Sequence, residues 1–205
     1  LGGEPIVQRS ARALTAPAEV IELIVVTRDD EADAARAVLS GIAGQRRVRI
    51  VSGGATRAAS VTNGVRATDP TADLILIHDA ARPFPSAALI RSVLAAAART
   101  GAAIPVLPVV DTLKRVRDGV ITATVERAEL CGAQTPQAFR RGLLIEAIGG
   151  RDPHDPAPTD DASWLEGSHA VATVPGEATN LKITRPDDLT LAVALLAVLA
   201  TEARP

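Results

Sequence analysis

The run Asp73-Leu74-Ile75-Leu76-Ile77-His78-Asp79 limits what this chain can fold into more than any other stretch. Branched apolar residues with no polar alternation read as a strand buried on both faces, which requires a sheet covered by helices on each side. Such a strand ends where polarity begins, at His78 and Asp79. Beyond it, Ala80 and Ala81 let a ligand approach the backbone, Arg82 sets a forked cation beside the Asp79 carboxylate, and Pro83 stops the strand from continuing. In an open parallel sheet the ligand crevice lies beyond the carboxyl ends of the strands. The residues alone therefore admit two readings, the floor of a binding site or an ion pair that only pins a turn.

The flanking chain repeats the same alternation. A helix is expected from Pro5 to Leu14, a buried strand over Val20 to Thr27, and a helix over Glu31 to Ile42. The strand Val48 to Val51 is broken by Ser52-Gly53-Gly54 and followed by a helix over Thr56 to Ala67. After the strand that ends at Asp79, Ser86 opens a helix to about Thr100, and Ala103 to Leu107 is again strand-like. Strands alternating with helices at this spacing predict an α/β fold, a Rossmann-like three-layer sandwich with a mostly parallel twisted sheet. With 205 residues, 47% of them hydrophobic, one domain with one substantial core is expected over 1–205.

The alternation then breaks. Thr112 to Arg117 and Val120 to Val125 flank Asp118-Gly119, a dipeptide that favours a type I′ hairpin turn. A two-stranded ribbon is marginal in water, so the segment at about 111–136 is expected to project as an arm and pack on a second copy of the chain, or to lie back on its own domain. Downstream, Phe139 to Ile148 reads as a helix, 149–158 as a loop, and Thr159-Asp160-Asp161 as the cap of a short helix holding Trp164. Strands over Ala170 to Val174 and Asn180 to Thr184 and an amphipathic helix from Pro186 complete the chain.

A formal net charge of -2 gives no electrostatic case for nucleic acid, although a local basic pocket for a phosphorylated small molecule fits. The single Cys131 excludes an internal disulfide, fits a reducing compartment such as the cytoplasm, and reads as a small buried residue. The apolar tract Leu189 to Leu199 is too short to span a bilayer, so no membrane role is expected. The chain has no Met and opens on Leu1-Gly2-Gly3, which reads as the interior of a domain with residues upstream. Of its 22 basic residues only Lys114 and Lys182 are lysines, a pointer to places where a compact ammonium is required.

The polar singularities fall into one group. Gly53-Gly54, Asp79 to Arg82, Asp111-Thr112 and Lys182 all lie at or just past the ends of expected strands, which favours one shared crevice. Gly53 and Gly54, preceding a helix, permit close approach to amides that attract anions or carbonyl oxygens. No P-loop or dinucleotide fingerprint is present, Ser60 has no nucleophile-elbow context, and no Cys or His cluster suggests a metal site. His78 reads as a satisfied core residue, and His154 and His169 as surface residues.

In combination the motifs resemble a known family. His78-Asp79-Ala80-Ala81-Arg82-Pro83, Gly53-Gly54 with Arg57, Ser60 and Val61, Asp111-Thr112-Leu113-Lys114, Thr135-Pro136-Gln137 and Asn180-Leu181-Lys182-Ile183-Thr184-Arg185-Pro186 stand in the order of the 2-C-methyl-D-erythritol 4-phosphate cytidylyltransferases, the IspD family. The resemblance covers essentially the whole chain. It implies cytidylyl transfer from CTP to methylerythritol phosphate with release of pyrophosphate, in non-mevalonate isoprenoid biosynthesis. By the same resemblance Gly53, Gly54, Ser60 and Ala80 would bind CTP, and Lys182 and Asp79 would be catalytic. Arg82, Thr112, Thr135 and Thr159 would surround the polyol phosphate. Arg127, at the end of the hairpin, would complete the site of a homodimer partner, and Mg²⁺ would be held mainly by the CTP phosphates rather than by protein ligands. A pentitol phosphate such as ribitol 5-phosphate is the alternative acceptor, and an inactive nucleotide-binding module the alternative from another class.

The sequence departs from the family pattern in two places. The family's Gly-rich nucleotide loop, on its first strand, directly precedes the segment with which this sequence opens and is not part of it. As it stands the chain is expected to lack its triphosphate cradle and a central strand. Position 55 is Ala, where an acidic residue is common in the family.

Overall fold

The computed structural model describes residues 1–42, 46–150 and 158–202. Its first half follows the expected alternation: α1 (Ile6–Thr15), β1 (Glu22–Thr27), α2 (Ala32–Leu39), β2 (Arg47–Ser52), α3 (Arg57–Ala67), β3 (Leu74–Ile77), α4 (Ala87–Thr100) and β4 (Ala102–Pro108). Local chemistry sets the boundaries. Thr56 and Ser86 cap α3 and α4 by accepting the backbone N–H of Ala59 at 3.1 Å and Leu89 at 2.9 Å. α4 stops at Gly101, whose φ of 95° is the left-handed conformation a helix end requires.

The strand β3 shows why a continuous apolar run is needed. Leu74 and Leu76 point to a core formed by Leu89, Val93, Ala96 and Ala97 of α4. Ile75 and Ile77 point to the opposite core, with Val61 and Val65 of α3, Phe139 and Leu144. Alternate side chains on one strand thus feed two cores, and the molecule has helices on both faces of a sheet. A third apolar cluster, Ala11, Leu23 and Leu39, joins α1 and α2 to the β1–β2 pair.

The second half differs from expectation. β5 (Lys114–Arg117) and β6 (Val120–Thr124) form the hairpin, with Asp118 and Gly119 at φ 52° and 78°, the positive values a type I′ turn demands. Every residue of both strands is exposed. The chain returns as β7 (Cys131–Ala133) and β8 (Gln137–Arg140), so Phe139 lies in a strand and the helix begins later, as α5 (Arg141–Gly149). Strand β9 (Ala172–Pro175) and α6 (Pro186–Glu202) follow. No strand forms over 180–184, because its main chain makes one ladder-like contact there, Ile183 N–H to Ala81 O at 2.9 Å, and side chains hold the rest. Helix α6 is apolar all round, with Leu189, Leu191 and Val193 exposed, and so is not amphipathic. Cys131 is exposed, because β7 lies at the end of the sheet order. His154 and most of the expected 149–158 loop lie outside the described residues.

The expectation of a mostly parallel sheet is also corrected. Among the described residues β1–β2 and β4–β9 pair parallel, whereas β3–β8, β4–β8, β4–β7 and β5–β6 pair antiparallel. The architecture is a mixed-sheet α/β fold, since the return after the hairpin lays β8 against β3 in the reverse direction. The β1–β2 pair forms no ladder with β3. Between them runs a slot of about 870 Å³, flanked by β1 and β3, with Val61 and Gly64 of α3 and Ser10 and Leu94 of α1 and α4 among its lining residues. No helix among the described residues is long and apolar enough to cross a membrane.

Candidate active site

The turn after β3 is held at every position. Arg82 N–H closes it onto Asp79 O at 3.0 Å. Ser10 Oγ donates to Ala80 O at 2.6 Å, and Ile183 N–H to Ala81 O at 2.9 Å. The Arg82 guanidinium donates to Asn180 O at 2.7 Å and approaches Asp79 Oδ2 at 3.4 Å. Lys182 Nζ lies 3.0 Å from that same oxygen. The Asn180-Leu181-Lys182 segment therefore brings the lysine against Asp79 through a buried asparagine, whose Nδ2 donates to Thr135 O at 2.8 Å. Neither the period nor the strand propensity of the segment carries that information.

Burial pushes the Asp79 carboxyl up, but the hydrogen bond and charge of Lys182, with Arg82 and Arg57, outweigh burial and hold it below the ordinary carboxylate range. The result is an anion fixed between two cations, with the lysine side chain still 44% exposed to solvent.

Gly53 and Gly54 lie at the mouth of the neighbouring concavity, bounded also by Thr27, Arg28, Asp29 and Ser60. Gly53 N–H donates to Thr27 O at 2.8 Å, and Gly54 N–H to Ser60 Oγ at 3.0 Å, so the loop is tied down on the first turn of α3. A Cβ on Gly54 would stand 2.4 Å from the Ala59 Cβ, which is why this loop needs glycine. Ser60 borders both this concavity and the slot, which Ala80 and Asp79 also line.

The structure thus brings together Gly53, Gly54, Ser60, Asp79, Ala80, Arg82 and Lys182. Thr135 belongs to the group through an unexpected contact: its hydroxyl accepts Asp79 N–H at 3.0 Å and faces His78 Nδ1 at 3.1 Å, and the residue is buried. Thr112, Thr159 and Arg127 are exposed, and none of the polar contacts of the Asp79 group reaches them among the described residues. Arg127 donates instead to Val110 O beside the hairpin.

Two side chains join the site without having been assigned a role from sequence. Arg57, the first residue of α3, makes a two-pronged pair with Asp161 at 3.0 and 2.7 Å, and Asp161 is fully buried. Burial raises the Asp161 carboxyl despite the opposing arginine, and nearby Asp160 and Asp79 add to the rise. Asp160 accepts Gln137 Nε2 at 3.0 Å and Ser163 N–H at 3.1 Å, so the chain after Thr159 is anchored on both sides. A doubled acid directly before a short apolar turn was the available signal, but it reads equally as a helix cap.

The family model of 2-C-methyl-D-erythritol 4-phosphate cytidylyltransferase, IspD, matches residues 1–198. The chain belongs to this family. A curated IspD-family relative from Solibacter usitatus, named for that same activity, is 38% identical over 197 residues, covering 94% of this chain and 81% of its own. A bifunctional IspD/IspF enzyme of Anaeromyxobacter sp. (strain Fw109-5) is 46% identical over 96% of this chain and 51% of its own length. The chain thus spans about half the length of the first curated relatives it matches. Among solved structures, the 4-diphosphocytidyl-2C-methyl-D-erythritol synthase of Anaerococcus prevotii superposes with a TM-score of 0.86 at 30% identity, over 96% of this chain and 88% of that one.

Proposed function

We propose that this chain catalyses the reaction for which its IspD relatives are named, transfer of a cytidylyl group from CTP to 2-C-methyl-D-erythritol 4-phosphate. One observation carries the reading: an Asp79 carboxylate held ionised by Lys182 and Arg82, beside a glycine loop at the start of α3. In the reaction a phosphate oxygen of the polyol phosphate bonds to the α-phosphorus of CTP, the bond from that phosphorus to the bridging oxygen breaks, and pyrophosphate departs. Both reactants are anions, so the residues serve by positioning and by neutralising charge, and no covalent nucleophile is required.

Lys182 and Arg82 supply cations at the floor, and Asp79 orients them and accepts from the acceptor's hydroxyls. Gly53, Gly54 and Ser60 receive the cytosine against the α3 amino terminus, with Ala80 beneath it. Thr112 and Thr159 border the polyol, and Thr135 acts from behind Asp79. Mg²⁺ would arrive on the nucleotide, held mainly by the CTP phosphates. When bound there, Mg²⁺ lowers the charge on the triphosphate.

We further propose a cytoplasmic homodimer, in which the hairpin docks on a partner and Arg127 reaches the partner's site. The exposed Val116, Val120 and Ile121 on an otherwise unsupported ribbon favour this. The second reading is a module that binds nucleotide at the Gly53–Gly54 loop without transfer. A coupled pyrophosphate-release assay with CTP and either methylerythritol phosphate or ribitol 5-phosphate separates these possibilities. Release with the first acceptor is expected, release only with the second reassigns the polyol, and release with neither leaves the binding module.

A further inference from the structure

We propose that His78 is a positioning residue for Asp79 and Arg82, holding both ends of the turn between them through its two ring nitrogens. This rests on the reading above that Asp79 and Arg82 face substrate. His78 Nε2 lies 2.9 Å from Arg82 O, and a carbonyl can only accept, so Nε2 carries the proton. In a neutral imidazole Nδ1 is then an acceptor, and the group 3.1 Å from it is the Thr135 hydroxyl. That hydroxyl oxygen already accepts Asp79 N–H at 3.0 Å, so its own proton is directed to Nδ1.

With the proton on Nε2, the circuit runs in one direction. Asp79 N–H donates to Thr135 Oγ1, Thr135 O–H donates to His78 Nδ1, and His78 Nε2–H donates to Arg82 O. A cationic ring would set a second N–H against an oxygen that already holds the Asp79 amide, leaving the hydroxyl proton to find another acceptor. Burial agrees with the neutral form, pushing the imidazole from 6.5 down to about 4 against the Arg82 and Thr135 backbone contacts, which raise it; of the charged neighbours Asp79 raises it and Arg82 lowers it.

A histidine that only filled space would spend its nitrogens wherever partners lay. Here one nitrogen takes the carbonyl of Arg82 directly and the other takes the amide of Asp79 through Thr135. The carbonyls between them, Ala80 and Ala81, are held from outside the turn by Ser10 and Ile183. His78 is the inner peg that sets the carboxylate and guanidinium relative to each other, and a displacement of about 1 Å there is worth roughly 10²-fold in rate.

The experiment uses the 205-residue chain, or a longer form if that is the form which turns over. Nitrogen-15 NMR of the imidazoles is expected to show His78 protonated at Nε2 only, with no titration from pH 8 to 5. A proton on Nδ1, or a midpoint near 6.5, overturns the assignment. In the transfer assay His78→Phe is expected to lower kcat by about 10- to 100-fold while the KM for CTP moves less than about threefold. His78→Gln, which keeps a donor at the Nε2 position, and His78→Asn, which keeps an acceptor at the Nδ1 position, are each expected to recover part of the loss. Thr135→Val added to His78→Gln is expected to cost nothing beyond Thr135→Val alone, since the Thr135–His78 link that His78→Gln breaks is already lost, and Thr135→Ser is expected to retain most activity. Wild-type kcat in His78→Phe, or additive losses in that double variant, overturns the proposal. An unsubstituted enzyme that releases no pyrophosphate removes the functional reading instead, and the NMR result still decides the circuit.

Discussion

At Asp79 burial and charge oppose each other, and the balance makes Lys182 the most informative residue to change. Replacing Lys182 by Gln removes the contact at 3.0 Å that contributes most among the cations opposing burial, so the Asp79 carboxyl is expected to rise. The transfer rate should fall by on the order of 10²-fold or more, and the acid limb of the pH–rate profile should shift to higher pH. A rate loss with an unmoved acid limb would show that Asp79 is not held by this lysine. His78 makes stability depend on pH. Between pH 6.5 and about 4 the unfolded chain protonates this imidazole and the native chain does not, so stability falls as pH falls through that window. The depression of the midpoint corresponds to about 3 kcal/mol, fully lost below the native midpoint. Urea melts at pH 7 and pH 5 should show a drop that is smaller in His78→Phe.

At the scale of elements, the glycine loop and the helix it precedes act as one unit. Gly54→Ala would force a Cβ to 2.4 Å from Ala59, moving either the loop or the first turn of α3. The expected cost is about 1–3 kcal/mol, with a raised KM for CTP. Gly142 offers the matched control, because it lies inside α5 with nothing within 4 Å of an added Cβ. Gly142→Ala is expected to stabilise by about 0.5–1 kcal/mol and to leave that KM unchanged, as thermal melts and initial rates would show. The contrast between elements also explains what could be read from sequence. The β3 run and the Asp118-Gly119 turn carry their structure locally, in apolar continuity and in a dipeptide that tolerates positive φ. Strand β8 does not: Gln137, Ala138 and Phe139 suit a helix as well as a strand, and the antiparallel partners Leu74–Ile77 and Ala102–Ala103 decide. Asn180 to Thr184 differs in the opposite direction, since its backbone is taken up by Ala81, Arg82, Glu177 and Asp188 and makes no ladder. The Asp79–Lys182 contact was approached through strand ends and the family pattern, whereas Arg57–Asp161 spans 104 positions and leaves no periodic trace.

For the whole molecule, the slot and the hairpin each carry a prediction. Among the described residues β1 and β3 each pair on one edge, with β2 and β8, and face each other across the slot. Peptide groups along a strand alternate between its edges, so about half the amides of Leu23–Val26 and Leu74–Ile77 point into it. Hydrogen exchange should find these alternate amides at least about 10²-fold faster than their neighbours, and equal protection along both strands would mean that the slot is closed in solution. The hairpin raises a question about assembly that a single-chain assay cannot answer. If Arg127 serves the partner's site and Lys182 its own, Arg127→Ala and Lys182→Ala homodimers should both be inactive, because every site in each lacks one group. A mixed dimer restores one complete site, with Lys182 from the first chain and Arg127 from the second. Random equal mixing makes half the dimers mixed and should recover about a quarter of wild-type activity. Mixed dimers demonstrated by mass spectrometry but showing no recovery would place Arg127 in its own chain's site, or in none.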